Sequence, residues 1–116
     1  MTLTVRSITF DSREPRHLAE FWAAALGFTT ERMEDDLASV EDPSGEVPRL
    51  LFLQVPEEKI VKNRVHLDLR AGDMEAEVER LIGLGATKLR VFDFGSGDVF
   101  TVMRDPEGNE FCVEVP

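Results

Sequence analysis

The chain has one cysteine, Cys112, so no disulfide can close within it. It is poor in positive charge. Thirteen Lys and Arg stand against 23 Asp and Glu, and a net charge of -10 opposes the phosphate neutralisation on which nucleic-acid binding depends. No apolar run comes near the ~20 residues that span a bilayer. Met1 to Phe10 reads as a strand, without the charged start and apolar core of a secretory signal. These deficits argue against a nucleic-acid partner or a membrane, and the cytoplasm is the expected location. Histidine is also scarce, so imidazole chemistry must lie at His17 or His66.

What the sequence does contain is one plan used twice. Asp42-Pro43-Ser44-Gly45 in the first half returns as Asp105-Pro106-Glu107-Gly108 in the second. Each half opens on a short alternating strand (Val5 to Phe10; Val65 to Arg70) and continues into an amphipathic helix closed by a glycine, Gly27 or Gly85. Short strand-like runs follow, then the turn, then a last apolar strand, Arg49 to Val55 or Glu110 to Val115. The reading is β-α-β-β-β twice, with modules near 1–58 and 59–116. Units of this size do not easily bury a helix alone. A single α+β domain is therefore expected, its two curved mixed sheets pairing around a cleft with the helices outside.

Pro15 suits the first turn of the first helix, with Asp11 or Ser12 as its expected cap. Leu18, Phe21, Trp22, Ala25 and Leu26 make its buried stripe, while His17 sits on the polar flank. In the second helix Asp73 is the expected N-cap, and Met74, Val78, Leu81 and Ile82 form the stripe.

The segment Asn63 to Arg70 carries more chemistry. Val65, Leu67 and Leu69 alternate with Arg64, His66, Asp68 and Arg70. If the odd set packs on the helices, Arg64, His66 and Asp68 form either a solvated strand surface or the wall of a polar pocket, and alternation does not choose between them. On the last strand the same logic groups Cys112 with Glu110 and Glu114. Arg49, Lys59, Lys62 and Arg64 gather around the linker between modules, where they either greet an anionic ligand or balance Glu57 and Glu58 in water. Arg64 shares the parity of His66, whereas Arg49 falls opposite Phe52. Leu50 and Phe52, with Phe92, Phe94 and Phe100 around Gly95-Ser96-Gly97, are the expected apolar wall of a small-molecule cleft.

The helix Leu18-Ala-Glu-Phe-Trp-Ala-Ala-Ala-Leu-Gly27-Phe28, the segment Lys62-Asn-Arg-Val-His66-Leu-Asp68-Leu and Asp105-Pro-Glu-Gly-Asn-Glu-Phe-Cys-Val113 resemble the glyoxalase/bleomycin-resistance/extradiol-dioxygenase (vicinal oxygen chelate) superfamily, in its small glyoxalase-like subgroup. The resemblance implies the paired βαβββ fold and a homodimer. It leaves the reaction open among metal-dependent lyases, isomerases and dioxygenases, and binding proteins that sequester a drug. Metal-dependent members take ligands from the first and last strand of each module, commonly histidine or glutamine and then glutamate. Registering the chain on its turns and helix ends puts Ser7, Phe52, His66 and Cys112 there. Only His66 is a standard match, and Phe52 has no donor atom. The expectation is a metal-free protein binding a small organic molecule; a divalent ion, if bound, would use His66 with Cys112 or Asp68. Ligand contacts are expected from Ser7, Phe52, Arg64, His66, Phe100 and Cys112. Catalysis would fall to His66 and Asp68 as an acid–base pair, or to Cys112 as a nucleophile activated by His66.

Overall fold

The computed structural model describes residues 2–116; Met1, the first residue of the expected N-terminal strand, lies outside the described residues. The elements run β1 (Ser7–Ser12), α1 (Pro15–Leu26), β2 (Thr29–Met33), β3 (Leu37–Glu41), β4 (Arg49–Gln54), β5 (Asp68–Arg70), α2 (Met74–Leu84), β6 (Thr87–Asp93), β7 (Val99–Arg104) and β8 (Glu110–Glu114). They make two four-stranded sheets of the same order, β1-β4-β3-β2 and β5-β8-β7-β6. In each, the first and last strands of the module run parallel and the other pairs antiparallel. The class is α+β, with βαβββ used twice. The chain divides into compact units ending at Glu58 and beginning at Lys59.

The helix ends follow from local chemistry. Gly27 (φ 68°) and Gly85 (φ 118°) close α1 and α2 in the left-handed conformation that a side chain resists. Asp73 caps α2, its Oδ1 accepting from the Ala76 amide at 3.1 Å. The expected cap of α1 is corrected: Asp11 and Ser12 continue β1, and Glu14 occupies the cap position, with no capping hydrogen bond from its side chain. Each Asp-Pro-x-Gly turn is held by its aspartate. Asp42 accepts from the Ser44, Glu46 and Val47 amides, and the buried Asp105 accepts from the Glu107 and Asn109 amides and the Asn109 side chain.

In the first module Leu50, Phe52, Ala38 and Val40 are fully buried on one face of the sheet. Phe10 links Phe52 to Trp22 of α1, with ring centroids 5.2 and 5.8 Å apart, so this is the helix-packed face. Ser7, Leu51 and Arg49 alternate to the other side. In the second module Thr101, Met103, Phe111 and Val113 are buried on the helix-packed side, the Thr101 hydroxyl lying 3.5 Å from Met74 Sδ. Phe100, Val102, Arg104, Glu110 and Cys112 take the opposite face. Ile82 is exposed, so the buried stripe of α2 is narrower than expected and rests on Val78 and Leu81.

Both modules carry a register irregularity at the same place, between Thr30 and Arg32 in β2 and between Lys88 and Arg90 in β6. Such a bulge re-aims the side chains around it. The strand expected from Val65 is shorter than its counterpart: β5 begins at Asp68, and Val65 is 77% exposed instead of packed. Before it, Leu67 still accepts from the Cys112 amide, and the Asn63 amide donates to the Glu110 side chain of β8.

Candidate ligand site on the second module

The open face of the β5-β8-β7-β6 sheet is a cavity of about 640 Å³, built wholly from residues after Glu58. Its apolar lining is Ile60, Leu89, Phe92, Phe100 and Val102; His66, Cys112 and Glu110 supply polar atoms. Phe92 and Phe100 are opposite one another across β6 and β7 and stack at 5.1 Å with their planes 23° apart. Phe94 extends the patch, 6.0 Å from Phe92 and 5.8 Å from Phe100, and is 68% exposed. The guanidinium of Arg90 lies 4.4 Å over the Phe92 ring.

Glu110 anchors one side. Its side chain is 8% exposed, with Lys59 Nζ 2.9 and 3.1 Å from its oxygens, the Asn63 amide donating at 2.9 Å, and Arg104 Nε at 3.7 Å. Burial pushes the carboxyl pKa up, but the Asn63 amide and the Lys59 ammonium outweigh it and hold the group at about 2. The linker is thereby tied across the sheet. Of the two readings of Lys59, balancing Glu57 and Glu58 in water is corrected: it pairs with Glu110 and is 18% exposed.

His66 Nε2 and Asp68 Oδ1 are 3.1 Å apart, a direct pair on one strand edge. Asp68 stands opposite Cys112 in the ladder, whose amide donates to the Leu67 carbonyl at 2.9 Å. Donor atoms of His66, Asp68 and Cys112 fall within 4.8 Å of one another. Burial, and then the Asp68 carboxylate, push the Cys112 thiol above its ordinary pKa, so it is protonated at neutral pH. That state opposes a thiolate nucleophile.

The structure brings His66, Asp68, Cys112 and Phe100 together on the second module. Phe52 is in the core of the first module against α1, not on an open face. Phe52 is the fourth residue of β4 whereas Cys112 is the third of β8, and a register one residue out reverses the face of a side chain. Leu51, opposite Thr9, is the residue that matches Cys112 opposite Asp68. Ser7 lies on the first module's open face, its hydroxyl accepting from Arg49 Nε at 2.8 Å. Arg49 also pairs with Glu31 at 3.2 Å; the Ser39 hydroxyl, donating at 2.7 Å, does most to hold the Glu31 pKa down. Arg64 is exposed and does not line the cavity. Arg90, Arg104, Leu89 and Val102 line it without having been singled out. The two-residue step from Phe92 back to Arg90 was the available signal.

A family model described as a glyoxalase-like domain matches residues 7–114, nearly the full length of the chain. The chain belongs to the glyoxalase-like domain family. No curated protein matches the sequence of this glyoxalase-like chain. Among solved structures it is similar to a glyoxalase/bleomycin resistance protein/dioxygenase family enzyme from Burkholderia phytofirmans PsJN, with TM-score 0.80, 15% identity, and 97% and 98% of the two chains covered. The bleomycin-binding protein of Streptomyces verticillus, solved with copper(II)-bleomycin, gives TM-score 0.66 at 18% identity over 100% and 98%. A lactoylglutathione lyase from Agrobacterium tumefaciens gives 0.68 at 15% over 97% and 92%. At these identities the likeness is one of fold.

The donors on each module depart from the set expected of the family's metal-dependent members. The first module's open face offers Ser7, already bonded to the Arg49 guanidinium, and the hydrocarbon of Leu51. In the second module His66, Asp68 and Cys112 gather one donor atom each, with His66 Nε2 against Asp68 Oδ1.

Proposed function

We propose that this glyoxalase-like chain binds a small organic molecule on the open face of its second sheet, without a resident metal ion. The supporting observation is the cavity: its volume falls in the usual range for small-molecule sites, and a few polar groups interrupt an aromatic wall. Asp68 orients His66 at its edge, so the pair supplies proton transfer beside a bound carbonyl if the ligand is turned over. The open Phe92–Phe94–Phe100 patch equally favours a second reading, sequestration without turnover, as in a drug-binding protein. Dimerisation in the cytoplasm belongs to the same proposal and rests on family resemblance.

The test is a small-molecule screen by amide NMR, run beside elemental analysis of protein purified without a chelator or histidine tag. Compounds that shift amides of β6–β8 with less than one metal per ten chains support the reading. Stoichiometric metal, or shifts confined to the first module, would overturn it. His66→Gln then separates the two versions: binding persists in both, and turnover is lost only in the enzyme.

A further inference from the structure

The charge of the cavity differs from the charge of the chain. The protein carries 23 acidic against 13 basic residues, yet the cavity is lined by Lys59, Lys62, Arg90 and Arg104 and by one carboxylate, Glu110. That carboxylate is taken by Lys59 at 2.9 Å, with Arg104 at 3.7 Å. Asp68, next to the lining, is paired with His66. Arg90 and Lys62 have no carboxylate in ion-pair distance among the described residues.

Arg90 is the more informative of the two. Its guanidinium carbon lies 4.4 Å from the centroid of the Phe92 ring, a cation–π contact. No hydrogen bond or ion pair among the described residues takes its N–H donors, the fork that matches a carboxylate in a two-bond pair. The ring contact also limits the rotamers of Arg90, so less freedom is lost when an anion arrives. Beside this fork lie the rings of Phe92, Phe94 and Phe100, with Phe94 largely exposed.

From this juxtaposition we infer that the ligand is a small aromatic carboxylate, its ring against the Phe94–Phe100 patch and its carboxylate held by the Arg90 fork. This rests on the ligand-binding reading above and narrows it to a chemical class. Lys62 adds long-range attraction, and a cationic or neutral ring is disfavoured.

Three probes sharing one ring test it: 1-naphthoate, 1-naphthamide and 1-naphthylmethylamine, titrated by amide NMR into wild type, Arg90→Gln and Arg90→Lys. Naphthoate should bind at least about tenfold more tightly than the amide, as a charge-assisted pair requires, and weaken with added salt. Arg90→Gln should bring naphthoate to the level of the amide and leave the amide unchanged. Arg90→Lys should fall between. Equal binding of all three probes at the cavity overturns the carboxylate inference and leaves the binding reading standing. Shifts from none of them across β6–β8 overturn both.

Discussion

Glu110→Gln tests whether charge fastens the linker to the second sheet. The carboxylate is buried, takes the Lys59 ammonium at 2.9 Å and the Asn63 amide at 2.9 Å, and has its pKa held at about 2 against 4.5 for a free glutamate. At about 1.4 kcal/mol per pKa unit the shift corresponds to roughly 3 kcal/mol; water entering the open cavity screens the pair, so about 2 kcal/mol is expected. Folding lowers this pKa. The stability is therefore present in full above the unfolded value of 4.5 and is lost as pH falls toward 2. Glutamine keeps the volume and one acceptor for Asn63, but turns an amide N–H₂ toward Lys59. Urea unfolding by far-UV circular dichroism should show a loss of about 2 kcal/mol at pH 7, shrinking to under about 1 kcal/mol near pH 2.5. Hydrogen exchange at the Asn63 amide should accelerate in parallel. Trp22 fluorescence is the wrong probe, because that ring packs in the first module. A loss below about 0.5 kcal/mol at pH 7, or the same loss at both pH values, refutes the charge argument.

Phe52→Ala should destabilise the first module by about 3–5 kcal/mol, read by Trp22 fluorescence in urea, and Phe52→Glu should fail to fold. A folded Phe52→Glu protein that binds nickel would show that the side chain faces a ligand site after all. Cys112 should react with iodoacetamide at pH 8 at least about tenfold more slowly than in urea-unfolded chain, and Asp68→Asn should speed it. Equal rates in folded and unfolded protein would mean that the thiol is neither buried nor raised in pKa.

Most of the architecture was legible because it rests on local signals. Gly27, Gly85, Pro15 and Asp73 mark helix ends by their own backbone chemistry, and the two Asp-Pro-x-Gly turns announce the duplication. Of the candidate site, sequence spacing showed the groupings of His66 with Asp68 and of Cys112 with Glu110, while alternation alone did not decide whether they line a pocket. Phe52 was misplaced because matching the last strands of the two modules needs their register to one residue, and Phe52 is the fourth residue of β4 where Cys112 is the third of β8. Arg90 sits beside a bulge, and bulges leave no fixed mark in a sequence. The role of Glu110 depends on a segment 47 residues away, Asn63 with Lys59, and long-range pairs of this kind have no local pattern.

Arg49 and Glu110 occupy the same station, the first residue of their module's last strand, with opposite charge. One is matched to Glu31 and the other to Lys59. A chain built from two similar halves risks assembling a segment of one on the sheet of the other. Here the exchanged arrangement would set Lys59 against Arg49 and Glu31 against Glu110, like charge on like in both places. Like charge at both stations therefore weighs against the exchanged arrangement.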